Sequence, residues 1–354
     1  MAAMANAPRK TIGYLDDALE LRIDVNETGT ARIMRLVTPQ PAREAVNDPA
    51  GGATPAPSAI SGSDVVGALG EAAEATGLPL ADVIVAGEGR TWSGSRYCES
   101  VAGARLRYLG HDSRTEGPGS RADRWHQLRV DLGDPVSGLH AEIFYRILAG
   151  CGVLRSWVRL TNQGARPLTI EAVTSFLCGA MSSDAASYGA SSASRPDDLD
   201  AFDVLWAEND WLAEGRWQRR ALRDALPDLN RSVHGADPRG RFGVTSVGTW
   251  SCGTYLPMGA IVNRRAGQAW VWQIEHNGPW HWQVGGFTRR DAGNKPRADA
   301  TGENPGGLAR SAYVALLGPT DAEHHWRISL APNDAFITVP TAIVSTGLPT
   351  TRPG

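Results

Sequence analysis

Cysteine is scarce and scattered: Cys98, Cys151, Cys178 and Cys252 form neither a Cys-x-x-Cys pair nor any Cys/His spacing. That argues against a zinc site or a disulfide framework and leaves reduced core thiols as the reading. Lysine is almost missing, with Lys10 and Lys295 the two in 354 residues. Net charge is -3 and the isoelectric point is about 6.3, so there is no basic footprint and nucleic acid is excluded as a partner. Long apolar runs are also lacking. Arg9 and Lys10 have no hydrophobic stretch behind them and no later segment is long enough to span a bilayer, which reads as a soluble, cytoplasmic protein with no membrane partner. No motif points to a cofactor or a metal.

Tryptophan is abundant: 12 residues, eight of them between Trp206 and Trp282. The densest stretch, Trp270 to Trp282, holds four tryptophans, His276, His281 and Glu275 around an Asn277-Gly278 turn signal. Asn-Gly between aromatic and β-branched runs predicts a β-hairpin. Pro279 has no N–H for a closing ladder position, which favours a three-residue loop with His276 opposite Trp280. Alternation then places Trp270, Trp272, Ile274, His276, Trp280, Trp282 and Val284 on one face, and Gln273, Glu275, His281 and Gln283 on the other. The aromatic face is either core or, with accessible rings, a platform for sugar stacking. Glu275 and His281 are either a cross-strand surface pair or an acid/base pair.

In chain order, residues 1–12 read as a disordered head and 13–346 as one β domain, with 347–354 a tail. Leu19–Val25 and Ala31–Val37 alternate as a strand pair. Residues 39–63 are rich in Pro, Ala, Gly and Ser and read as a flexible loop, and 64–76 as a short helix capped by Asp64 and ended by Gly77 and Pro79. Between Leu80 and Leu177 the period is two almost throughout, with turns at Asp134-Pro135 and Asn162-Gln163-Gly164. Such strands without βαβ alternation predict an antiparallel sandwich or barrel. A Ser/Ala/Asp-rich loop covers 181–200 and another loop 285–308. Strands are expected at Ala312–Leu317, His325–Leu330 and Ile337–Val344, which puts His324 and His325 on opposite faces and excludes them as one metal site.

The block Trp206 to Arg220 mixes Trp211 and Trp217 with Asn209, Asp210, Glu214, Arg216, Arg219 and Arg220. It is neither a clean helix nor a clean strand. It reads as a loop that meets a ligand or partner, or as an internal ion-pair network.

Several blocks carry a family resemblance. Asn209 to Arg219, Asp237-Pro238-Arg239-Gly240-Arg241-Phe242, Leu256-Pro257-Met258-Gly259 and Gln273 to Gly278 are the longest. Gly87-Glu88-Gly89-Arg90 with Trp92-Ser93-Gly94, Arg105-Leu106-Arg107-Tyr108 and Gly318-Pro319-Thr320-Asp321 are shorter. From about Tyr14 to about Val344 the chain resembles the N-terminal domain of glycoside hydrolase family 36, the α-galactosidases. The resemblance implies an all-β, antiparallel β-supersandwich of the galactose-mutarotase type with a few short helices in its loops. In the family this domain precedes a (β/α)8 barrel that performs retaining hydrolysis of terminal α-galactosides with two aspartates, the nucleophile in a Lys-Trp-Asp type motif. Neither lysine here precedes Trp-Asp, so no catalytic residue carries over and the chain reads as truncated before the barrel.

Three functions follow. The first is a non-catalytic domain that braces the barrel, in cis or trans, supports a homo-oligomer and helps wall the galactoside site. The second is a stand-alone carbohydrate-binding module. The third is a mutarotase-like sugar epimerase using Glu275 with His281 or His276. The residues expected to touch carbohydrate or barrel are Asn209, Asp210, Trp211, Arg216, Trp217, Glu275, His276, Asn277 and His281, with no metal and no cofactor.

Overall fold

The computed structural model describes residues 9–39, 78–89, 96–117, 124–181, 198–226, 240–246, 248, 250–288 and 310–347. The expected loop at 39–63, apart from its first residue, and the expected helix at 64–76 lie outside these residues, as do the tail beyond Gly347 and most of the 181–200 and 285–308 loops. Within them every strand pairing is antiparallel, as the two-residue period predicts.

A three-stranded meander opens the chain: β1 (Lys10–Leu15), β2 (Glu20–Val25) and β3 (Ala31–Val37). β1 already begins inside the stretch expected to be a disordered head. The next strand, β4 (Val83–Val85), is short and belongs to another sheet. The largest sheet grows from a second meander, β5 (Arg107–Glu116), β6 (Trp125–Gly133), β7 (Leu139–Leu148) and β8 (Val153–Asn162). Beyond β8 it continues through β19 (Thr341–Gly347), β14 (Gln268–Ile274), β13 (Tyr255–Asn263) and β10 (Phe202–Asp210) to β11 (Ala213–Ala221), with β18 (Ala335–Ile337) beside β8. The facing sheet runs β12 (Arg241–Thr245), β15 (His281–Thr288), β16 (Arg310–Leu317), β9 (Leu168–Met181) and β17 (Ile328–Leu330), with β4 on β9. Among the described residues three short helices sit in connections: α1 (Val101–Arg105), α2 (Leu222–Ala225) and α3 (Asp321–His324).

The alternation in β7 is strict, each inward side chain buried and each outward one half-exposed. One apolar cluster links all three sheets, and its largest members are Trp270, Trp272, Trp280 and Trp282, each at most 1% exposed. The core reading of the tryptophan face is therefore correct, and stacking of sugar on those rings is excluded.

The hairpin itself is not formed. β14 pairs with β13 and β19 in the large sheet, whereas β15 pairs with β12 and β16 in the facing one. Glu275 to Trp280 is a connection that passes from one sheet to the other, with Asn277 exposed and Trp280 buried. The Trp280 N–H, which the hairpin would have turned toward His276, donates to the Ser246 hydroxyl at 2.9 Å, and the Trp280 carbonyl accepts from the Ser246 N–H at 3.0 Å. Trp272 and Trp282 meet edge to face across the interface, ring centroids 5.1 Å apart. Hairpin and crossing bury the same alternating set, so periodicity alone does not separate them.

Two further readings change. Trp206 to Arg220 is a strand pair, β10 and β11, with a register shift between Glu208 and Asp210 and a left-handed Gly215 (φ 64°). β11 lies at a sheet edge and faces solvent, so it has no hydrophobic alternation to betray it. His324 closes α3 and His325 is its left-handed cap (φ 54°), so the expected strand shortens to β17. The last expected strand is split around Pro340 into β18 and β19.

Candidate functional site

The β10–β11 hairpin carries the most exposed aromatic surface among the described residues. Trp211 is 75% exposed, beside Leu212 in a left-handed conformation (φ 63°), and Trp250 is 52% exposed. The two indoles lie 6.3 Å apart, tilted by 59°. Buried Asn209 fixes this corner: its amide nitrogen donates to the Cys252 carbonyl at 2.5 Å and its amide oxygen accepts from the Gly215 N–H at 3.1 Å. Arg216 reaches Asp210 at 2.8 Å and Glu208 at 3.4 Å, and hydrogen bonding to Asp210 holds its guanidinium above the usual range. Trp217 stands half-exposed further along β11. Two flat apolar faces edged by a carboxylate–guanidinium pair can stack on a ring and hydrogen-bond its rim.

The second group of expected contacts is split by the crossing. Glu275 forms a paired contact with Arg155 of β8, through Nε at 3.0 Å and through a second, shorter contact from Nη2. His276 is half-buried, its ring crowding Gly278, and burial pushes its pKa down. Asn277 is exposed at the tip. His281 is fully buried on β15, in the other sheet, so the cross-strand Glu275–His281 pair does not exist.

His281 belongs instead to a polar cluster that the sequence did not signal as a unit. Arg241 Nη1 lies 3.4 Å from His281 Nε2, Arg241 Nη2 donates to Glu323 at 3.2 Å, and the Tyr97 ring stands edge-on to His281 at 5.2 Å. Glu323 also accepts from the Tyr97 and Thr320 hydroxyls. Gly243 is required here, since a Cβ would lie 2.9 Å from the imidazole. Burial drives the His281 pKa down to about 3, against the pull of Glu323, so the ring is neutral. Burial works against the Glu323 carboxylate too, but the Thr320 and Tyr97 hydroxyls and Arg241 outweigh it and hold its pKa below the usual value. His324 Nδ1 accepts from the Thr320 N–H and its Nε2 faces Thr245 and the Ser246 carbonyl.

The quoted family blocks meet at such junctions. Arg105 joins Glu88 at 2.7 Å and Asp134 at 2.7 Å, and Arg241 joins Glu323 three residues past Thr320. They are thus sites of tertiary contact, a property of neighbours in space that sequence spacing does not display. Among the described residues no group of three or more His, Cys, Asp or Glu side chains is arranged to hold a metal ion, and no helix is long and apolar enough to cross a membrane.

The architecture is an antiparallel β-sandwich, and comparison with known proteins shows what it is similar to. Residues 86–185 match the glycosyl hydrolase family 36 N-terminal domain. Over those residues the chain matches that domain, and among its described residues there is no catalytic barrel. Its fold is that of the α-galactosidase AgaA from Geobacillus stearothermophilus, at 14% identity and a TM-score of 0.57, covering 96% of this chain and 41% of that one. The α-galactosidase from Lactobacillus brevis gives 13% identity and 0.57, covering 97% and 40%. AgaB, also from Geobacillus stearothermophilus, gives 15% and 0.57, covering 98% and 41%. The chain therefore spans about two fifths of the length of these proteins. None of the curated proteins matches it in sequence.

Proposed function

We propose that this chain is a cytoplasmic, non-catalytic domain that works with a family 36 barrel, in cis or in trans, in the retaining hydrolysis of terminal α-galactosides. Its part is to brace the barrel and its oligomer and to help wall the galactoside site. The observation that carries this reading is the exposed Trp211–Trp250 corner on a hairpin pinned by buried Asn209. Rigid aromatic surface of this kind is costly to leave in water and serves as an anchor when covered. Arg216, Asp210 and Trp217 extend the same surface, and Glu275, His276 and Asn277 form a second, smaller candidate contact at the sheet crossing. His281, being buried, contributes through the cluster it packs in.

The isolated chain is expected to fold and to release no p-nitrophenol from p-nitrophenyl α-galactoside. Turnover that stays with the polypeptide through stringent purification and is untouched by a contaminating enzyme's inhibitor would overturn the reading.

The exposed indoles also support a second reading, a carbohydrate-binding module. Titration with galactosides should then quench tryptophan emission in the native chain and not in Trp211→Ala with Trp250→Ala. Unchanged emission at saturating sugar disposes of this module and leaves barrel contact as the role of the corner. An epimerase using Glu275 with His281 has lost its geometric basis, since His281 is buried on β15 beside Arg241; with His276 instead, the Glu275 carboxylate is already paired with Arg155.

A further inference from the structure

The sheet edges among the described residues are not equally defended. An edge strand offers unpaired N–H and C=O groups to any second strand, and proteins blunt this with bulges, like charges, short length or a covering element. β11 has a bulge at Gly215 and a row of Arg216, Arg219 and Arg220. β12 has five residues, and β4 and β17 three each. β3 is buried along most of its length, and β1 bears Lys10 as its single charge. β5 differs: past the register shift at Leu109 it runs unbroken from Gly110 to Glu116 against β6, and Asp112 to Glu116 are exposed on both faces.

The charges of β5 fit a second copy of themselves. In a two-fold antiparallel pair, residues with edge-facing hydrogen-bonding groups must oppose their like, so some residue lies opposite its own copy. Centred on Ser113, the pair sets Asp112 opposite Arg114 twice, His111 opposite Thr115 twice, and Ser113 on Ser113. Shifting the centre to Asp112 sets aspartate on aspartate. Shifting it to Arg114 sets arginine on arginine and Asp112 on Glu116. Like charges directly opposite are destabilising and opposite charges stabilising, so among the three registers that pair at least five residues of Gly110 to Glu116 the side chains select one. Asp112 has no ion-pair partner among the described residues, while the ion pair of Arg114 is with its own neighbour Glu116, at 3.1 Å.

We infer that β5 is a homodimerisation edge: two copies of this chain pair antiparallel over Gly110 to Glu116, centred on Ser113, joining their large sheets into one continuous sheet. The contact is independent of the Trp211–Trp250 corner.

The test is light scattering of the full chain over a concentration series, with Asp112→Arg, Arg114→Asp, the double reversal D112R/R114D, and a mixture of the two single variants. The native chain should pass from one-chain to two-chain mass. Each single reversal should weaken association by roughly tenfold or more. The double reversal should restore it, because both cross-strand pairs are again of opposite sign. The mixture should restore it too: the new arginine of one variant faces the new aspartate of the other, and the native Arg114 of the first faces the native Asp112 of the second. Far-ultraviolet circular dichroism checks that every variant folds. A chain that stays monomeric throughout, or one whose association ignores the single reversals, overturns the inference; association lost on Trp211→Ala and kept in Asp112→Arg would place the contact on the hairpin tip instead.

Discussion

Asp82 is a buried carboxylate held by the N–H and hydroxyl of Ser100, the cap of α1, with no cation in contact among the described residues. Burial raises its pKa from 3.8 to about 6. The folded state therefore keeps a proton between those values that the unfolded chain has released. Its contribution to stability is full below about pH 4, falls as pH rises to 6, and stays low above, a difference on the order of 3 kcal/mol. His281 has the opposite sign: held neutral down to about 3 from 6.5, it favours the fold at neutral pH and loses that advantage on acidification. Between about pH 4 and 6 the two slopes oppose one another. Asp82→Asn should leave the histidine slope unopposed, so that thermal melts show a midpoint equal to or above the native one at pH 8 and a steeper fall toward pH 4. A pH profile parallel to the native chain's would show that Asp82 does not titrate in that window. None of this was legible in the sequence, where Asp82 is one acid among many and its burial is a product of the helix cap folding over it.

At the scale of elements, the inter-sheet crossing depends on close approach between β13 and the tryptophans. A Cβ on Gly259 would lie 2.6 Å from the Trp272 ring, which packs edge-on to Trp282. Gly259→Ala should cost about 1–3 kcal/mol by overpacking, and Trp282→Ala about 3–5 kcal/mol by the cavity it leaves. Urea titration reads both, and a neutral Gly259→Ala would mean that the rings shift freely. The hairpin tip behaves oppositely. Trp211→Ala and Trp250→Ala should change stability by no more than about 0.5 kcal/mol, because the rings are exposed. A large loss would show the tip to be structural. The alternation of β7 and β8 was readable because one face of each is buried. β11 was not, because an edge strand exposed to solvent places no demand on hydrophobicity.

For the whole molecule, one apolar cluster runs from Leu21 and Ile23 of the first meander through Val130 and Tyr145 to Val284 and Leu316. Shared burial of this kind couples the three sheets. Equilibrium unfolding followed by tryptophan emission and by far-ultraviolet circular dichroism should give coincident transitions. An earlier transition confined to the dichroism signal would show that the first meander unfolds separately. The resemblance of the chain to a family 36 N-terminal domain was visible in long sequence blocks, and the fold agrees with it over nearly the whole chain.

By itself, the sequence determined the antiparallel β class, the buried face of the Trp270–Trp282 stretch, the resemblance to the family 36 N-terminal domain and the lack of a Lys-Trp-Asp nucleophile motif. These follow from local period and from residue identity, which a linear chain displays directly. Only the tertiary structure decided that this stretch crosses between sheets, that Glu275 goes to Arg155 while His281 goes to Glu323 and Arg241, and that the exposed aromatic rings are Trp211 and Trp250. The reason is common to all three: alternation states which side chains face inward, while the partner of each strand and each charge is set by residues far away in the chain.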